Sequence, residues 1–433
     1  MQMLRKIQYK LVLFWLNFFF VVPLPFIQTI STGLQGMSAN EMLAIYSGVI
    51  SYAWMLAIVY LSTKPRWLDR LVGLPSIYQL HGILAIAALG LAWLHKIGTH
   101  SGGLIKQTGD LSLIILTGLI GYSLLFLASW LISRFSLLSK FKKILEKIFK
   151  HEITMLLHKL LLAAVILVFI HVQLIDYIRS ITSFMIWFDG LSLLTALSYL
   201  RTKVSWYGRK GQAELKLIQN HSLSDRVREL TLGGRQSQQL DLQAGDFVFL
   251  SFPRVPKLRE PHPFSLVSLP NQSGEFKLTI RDDGDFTNRL QVLRPGTTAK
   301  VTGGFGRYQA FIAEHDATAS LVMITGGIGA TPLFSLIPNN LSHQIYLFYS
   351  AHRQTDLLYQ QQLIQWTQHA NFTGFWQQGR FSDDFVLNRL PHGWQNHTLF
   401  LLSGPVSLIH HWEKLLEKAK VDSNNIFKEE FNW

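Results

Sequence analysis

The 433-residue chain has no cysteine, which excludes disulfides, thiolate-bound metals and a cysteine nucleophile together. Charge is sparse, at 15% of residues, and acid is the scarcer kind: 27 Asp and Glu stand against 40 Lys and Arg. No aromatic-basic recognition module accompanies the net charge of +13, so no nucleic-acid partner is expected. Internal repeats, low-complexity tracts, calcium loops and long regulatory inserts are also missing, and no obligatory protein partner is expected. What the chain has in quantity is apolar sequence, 48% of residues, enough for a membrane domain followed by one or two soluble domains.

Six apolar stretches, near 11–30, 42–62, 76–95, 111–133, 153–176 and 181–200, approach the ~20 residues that cross a hydrocarbon core. Basic residues sort them. Arg5, Lys6, Lys10, Lys64, Arg66, Arg70, Arg134, Lys140, Lys142, Lys143, Lys147 and Lys150 fall on one side, and only Lys96, Lys106 and Arg179 on the other. The positive-inside rule then places both termini in the cytoplasm of a multi-pass cell-membrane protein. The first segment is longer than a signal-peptide core and no small-residue cleavage site follows, so it is read as retained. Residues 134–150 alternate Lys with Leu, Ile and Phe, as an amphipathic helix on an anionic leaflet does.

Two of the apolar stretches carry paired histidines, His81 with His95 and His158 with His171. Histidine in lipid is costly without a partner. Fourteen residues of helix rise ~21 Å and bring His81 and His95 to one face near opposite membrane surfaces. A second helix with a matching pair closes two stacked haem sites; polar histidines packed between helices are the plainer alternative. The second interval is thirteen residues, which puts His171 off the face of His158 unless that helix is tightened toward 3₁₀ geometry or the two haems are mutually rotated. His100 and His151 sit in flanking segments and suit interfacial roles. Asp189, in the sixth stretch, calls for a partner on a neighbouring helix or a proton-transfer role.

From residue 204 the texture changes to short alternating strands such as Phe247–Phe252 and Phe276–Arg281. After about 318, strand-like runs (Leu321–Thr325, Gln344–Ser350, Thr398–Ser403) alternate with helical stretches, the pattern of a parallel α/β unit. Four clusters carry chemistry. His262-Pro263-Phe264-Ser265 offers an aromatic ring and a hydroxyl for a flavin, or is an ordinary strand with an inward Phe. Arg281-Asp282-Asp283-Gly284-Asp285-Phe286-Thr287 brings a cation and free N–H groups toward a pyrophosphate, or is a solvated turn. Thr325-Gly326-Gly327-Ile328-Gly329-Ala330-Thr331-Pro332 is a glycine-rich strand-to-helix turn at which phosphate approaches backbone. Last come Ser403-Gly404-Pro405 and the terminal Glu430-Phe431-Asn432-Trp433, where an aromatic end either covers a flavin or plugs the last strand.

In their order these clusters resemble the ferredoxin–NADP reductase superfamily, and with six spans and two histidine pairs the chain resembles the bacterial NADPH oxidases of the ferric reductase and NADPH oxidase superfamily. The resemblance implies a six-helix transmembrane bis-haem bundle over 1–203, a Greek-key β-barrel for FAD over 204–315 and an α/β parallel-sheet domain for NADPH, with NADH possible, over 316–433. It implies that His81 and His158 ligate the inner haem b and His95 and His171 the outer. It places His262, Pro263, Phe264 and Ser265 on FAD, with Phe264 at the isoalloxazine and Ser265 near its N5, and Arg281 and Thr287 on its phosphates or ribityl oxygens. Gly326, Gly327, Gly329 and Thr331 line the dinucleotide, Ser350 and Arg353 meet the adenosine ribose or its 2′-phosphate, and Ser403, Gly404, Pro405, Phe431 and Trp433 surround the nicotinamide and flavin. Two positions depart from the family: Ser403 stands where Cys is usual and Trp433 where Phe is common. The activity implied is electron transfer from cytosolic NADPH to external O₂, giving superoxide, with a ferric chelate as the alternative acceptor; a non-catalytic membrane sensor is the rival of another class.

Overall fold

The computed structural model describes residues 9–127, 157–203 and 211–429. The chain forms two compact units, one taking in Tyr9–Leu68 and Leu74–Ser205, the other Asp69–Gly73 and Trp206–Glu430.

The first unit is helical: α1 (Tyr9–Ser31), α2 (Ala39–Leu61), α3 (Leu74–Gly98), α4 (Gly103–Leu127), α5 (Leu157–Gln173) and α6 (Thr182–Lys203). All but α5 are long and apolar enough to cross a membrane; α5 has 17 residues within the described chain. In α1, Pro23 has no N–H to give the carbonyl of Phe19, so the helix widens to a π turn, Val22 N donating to Asn17 O at 2.9 Å. The indole N–H of Trp54 takes up the Phe19 carbonyl at 3.3 Å. A capping box, Ser38 with Glu41, starts α2. Small side chains let the helices approach: Ser51 donates to Ala88 O at 2.7 Å and Ser112 to Ala164 O at 3.0 Å, tying α2 to α3 and α4 to α5. Phe26, Phe184, Phe188 and Tyr52 fill the core between α1, α2 and α6.

One boundary differs from the sequence reading: the interval between the apolar stretches 76–95 and 111–133 shrinks to four residues between α3 and α4, because Lys106 and Asp110, which look like loop residues, lie on the first turns of α4. Asp189 has the partner on a neighbouring helix that its place called for: on α6, it accepts from Gln173 Nε2 of α5 at 2.6 Å. The basic stretch 134–150, His151 and the terminal Phe431 and Trp433 lie outside the described residues.

In the second unit, six strands, β1 (Gln212–Ser224), β2 (Val227–Gly233), β3 (Phe247–Ser251), β4 (His262–Ser265), β5 (Phe276–Arg281) and β6 (Thr298–Phe305), pair antiparallel in the order β4-β3-β6-β1-β2-β5. A bridge between Leu266 and Leu278 joins the two edges and makes the sheet barrel-like. Alternation points Leu215, Leu217, Leu230, Leu232, Val248, Leu250, Leu278 and Val301 inward, all essentially inaccessible. Helix α7 (Asp285–Arg289) plugs this core with Phe286.

Five parallel strands follow, β7 (Ser320–Gly326), β8 (Ile345–Ala351), β9 (Phe372–Gln378), β10 (Thr398–Ser403) and β11 (Ile426–Lys428), in the order β11-β10-β7-β8-β9. Helix α8 (Thr331–Asn339) covers one face and α9 (Val406–Lys418) the other, so the middle strands are apolar on both sides. The order reverses between β7 and β10. That switch point opens a crevice at the strands' C-terminal ends, where open α/β sheets bind ligands.

Candidate functional site

Four histidines of the helical unit, His81, His95, His158 and His171, face each other in the pairs expected from their places in the sequence. The rings of His81 and His158 have centroids 6.0 Å apart with planes at 45°, and those of His95 and His171 6.2 Å apart at 90°. An iron held at ~2 Å by one nitrogen of each of two imidazoles separates their centroids by ~6 Å. Every Nδ1 is engaged: His81 with Ile58 O at 3.2 Å, His95 with Ala44 O at 2.9 Å, His171 with Ile105 O at 2.8 Å and His158 with Ser123 Oγ at 3.0 Å. Partners of this kind fix ring and tautomer and leave Nε2 to bind metal.

Glycines make room for these rings. A Cβ on Gly48 would stand 2.6 Å from His95 Nδ1, and one on Gly109 3.1 Å from His171 Cε1. The thirteen-residue interval is accommodated by local tightening: Leu160 N donates to Leu157 O at 3.0 Å and Ala163 N to Leu160 O at 2.9 Å, both three-residue steps.

Gly48, His95, Lys96, Lys106, Gly109 and His171 line a cavity of about 120 Å³, partly open to the exterior. Among the described residues no cluster of three or more His, Asp or Glu could hold a metal. Two imidazoles per site suit a metal that brings its own equatorial donors, as haem does, and the ring spacing and the tied Nδ1 atoms fit that group.

The second unit brings its clusters to the barrel rim and the sheet's switch point. On β4, His262 and Phe264 share a face and pack against Phe286, with centroids 4.3 Å and 5.9 Å away; Ser265 ends the strand opposite Phe247. Pro263 is opposite Phe249. Arg281 ends β5 and pairs with Asp283, Nε to Oδ2 at 2.5 Å. Thr287 Oγ1 accepts from the N–H groups of Asp283 and Gly284 at 3.0 Å each, closing the turn that starts α7. That hydroxyl shapes the turn, and Arg281 stands beside it.

At the switch point two turns interlock. Gly327 follows β7 at φ +55°, a left-handed conformation that favours glycine. A Cβ on Gly329 would lie 2.3 Å from Gly404 Cα, and Gly404 has φ +135° with its missing Cβ 3.0 Å from Gly326 N. The Ser403 hydroxyl, 1% exposed, donates to Gly329 O at 2.6 Å, and Pro405 packs against Gly326. Ser403 is thus a strut between the turns. Thr331 caps within its own turn, donating to Ile328 O at 3.0 Å. Ser350 is buried at the end of β8, 3.5 Å from Thr325 O, and Arg353 is exposed just beyond.

Sequence reading missed two clusters of this unit. Tyr359, at φ +58°, donates to Glu229 and lies 2.5 Å from Thr279 Oγ1, while Lys277 Nζ pairs with Glu229 at 2.8 Å, latching the barrel to the sheet. Arg70 clasps Asp246 at 2.5 and 2.7 Å and donates to Gly306 O at 2.7 Å, Asp69 accepts from Gly306 N at 3.0 Å, and Glu429 accepts from Arg307 N at 2.7 Å. Burial raises Asp246 to about 6, against the pull of Arg70, and Glu429 to about 8. Neither cluster has a local signature, since its members are far apart in the chain.

Residues 214–310 match the oxidoreductase FAD-binding domain family. NADH-cytochrome b5 reductase 1 of Cryptococcus neoformans is 27% identical over 138 residues, 30% of this chain and 44% of that protein. The dihydroorotate dehydrogenase B (NAD(+)) electron transfer subunit of Listeria monocytogenes is 32% identical over 126 residues, 29% of this chain and 48% of that subunit. The chain thus spans about half the length of these relatives. The cytochrome b5 reductase domain of Ulva prolifera nitrate reductase aligns at a TM-score of 0.43 and 18% identity, over 50% of this chain and 97% of that one. Over residues 214–310 the chain carries an oxidoreductase FAD-binding domain.

Proposed function

We propose that this protein is a membrane-embedded flavocytochrome that moves electrons from cytosolic NAD(P)H to an acceptor outside the cell, O₂ being converted to superoxide. The observation that carries the reading is the double histidine pairing, two facing imidazole pairs at 6.0 and 6.2 Å with every Nδ1 tied. The barrel domain supports the flavin end of the path. When bound, FAD would convert a hydride into single electrons and two haems b would carry them.

The chain's own residues do the rest. His81 with His158, and His95 with His171, would hold the two haems. The glycine turns after β7 and β10 let a dinucleotide approach backbone N–H groups at the start of α8. His262, Pro263, Phe264 and Ser265 present the barrel rim to the flavin, and Arg281 offers charge to its phosphates. Arg353, exposed just beyond β8, would favour NADPH over NADH. The helical unit lies in the bilayer as a six-span bundle with both termini cytoplasmic.

A dithionite-reduced spectrum of the detergent-solubilised, haem-loaded protein tests the core of this reading: b-type Soret and α bands at two haems per chain are expected, and their absence ends it. The acceptor is decided by comparing superoxide dismutase-sensitive cytochrome c reduction in air with ferric-chelate reduction under nitrogen. Reduction of the chelate alone makes the protein a ferric-chelate reductase.

A further inference from the structure

The cavity at the outer histidine pair has a charged rim. Lys96 directly follows His95 on α3, and Asp110 directly follows Gly109, against which the His171 ring lies. The Lys96 ammonium donates to the Asp110 carboxylate, so α3 and α4 are tied one residue away from each ring contact. Lys106, one turn earlier on α4, lines the same cavity. At the other pair, the partners of His81 and His158 are a carbonyl and a hydroxyl.

We infer that Lys96, held by Asp110 and joined by Lys106, is the positioning cation of the outer haem, receiving the porphyrin's carboxylate edge and raising the reduction potential of the outer iron relative to the inner. The inference rests on the bis-haem reading above. Its chemistry is general: a porphyrin of the b type carries two carboxylates at one edge, and two ammonium groups at the rim of a cavity that also holds both axial imidazoles match them. Adding an electron lowers the charge at iron, so a fixed cation in a medium less polar than water favours the reduced form.

The test is a potentiometric titration of the full-length, haem-loaded protein followed at the α band, with His95→Ala as the reference that keeps only the inner component. Lys96→Gln is expected to disfavour reduction of the outer component about tenfold, ~59 mV for one electron, and Asp110→Asn to favour it, the inner component staying in place. Lys96→Arg restores the wild-type value. Loss of the outer haem in Lys96→Gln but not in Lys96→Arg, read by haem content, supports the same role. Unmoved potentials, a common shift of both components, or haem loss in both Lys96 variants overturns the inference and leaves the bis-haem reading standing. A wild-type protein with fewer than two haems per chain overturns both.

Discussion

The helical unit and the barrel-sheet unit build their sites from opposite materials. In the first, side chains make the site: four imidazoles set by helical spacing, each braced by one hydrogen bond. In the second, backbone makes it: two glycine turns meet with no side chain between them, and the one hydroxyl at the junction braces the turn. A side-chain site tolerates backbone change and fails when a ligand is removed; a backbone site fails when a methyl group is added.

Substitutions that exchange these roles break or sharpen the contrast. The largest effect is expected from His95→Ala or His171→Ala, which should halve the haem content and abolish reduction of external acceptors while flavin bleaching by NADPH continues; haem content and stopped-flow absorbance check this. Gly329→Ala is the mirror experiment. Its Cβ would strike Gly404 backbone at 2.3 Å, so bleaching should slow by at least about a hundredfold, the order of ~3 kcal/mol, with haem content unchanged. Gly48→Ala crosses the two kinds, since a methyl 2.6 Å from His95 Nδ1 displaces a ligand through the backbone; partial loss of the outer haem is expected, and full occupancy would show that the ring has room to shift.

Smaller effects come from the brace positions. Ser403→Ala leaves the Gly329 carbonyl without its donor and should cost about 1–3 kcal/mol of stability, weakening nucleotide affinity more than the hydride step, as separate measurement of Kd and of bleaching rate would reveal. Glu429 holds its proton to about pH 8 in the folded chain, well above an ordinary glutamate. The folded state then binds more protons than the unfolded one, so this residue's contribution to stability declines as pH rises from about 4.5 to about 8 and is constant above. Glu429→Gln should flatten that part of the melting-temperature profile; an identical slope would assign the pH dependence elsewhere.

How much the sequence revealed follows the same division. Strands such as Phe276–Arg281 and Thr398–Ser403 were legible to the residue because alternation and burial on both faces leave a plain signal. The histidine intervals were legible because helical geometry is regular, and the tightening at Leu160 is where the odd interval demanded it. The start of α4 was not, since Lys106 and Asp110 look like loop residues until Lys96 is seen beside Asp110. Nor was the role of Ser403: a hydroxyl after a strand reads as reactive until its acceptor, 74 residues earlier, is known. The Arg70–Asp246 and Tyr359–Glu229 contacts join residues 176 and 130 positions apart, which no local pattern announces.

The two imidazole pairs differ in one further respect, the angle between their planes, 45° at one and 90° at the other. Crossed planes leave the two π-type d orbitals of a low-spin ferric ion nearly equal in energy, whereas tilted planes split them. With the proposed haems bound, frozen-solution electron paramagnetic resonance of the oxidised protein should therefore contain one strongly anisotropic signal and one more rhombic signal, a magnetic label that tells the two histidine pairs apart without any mutation.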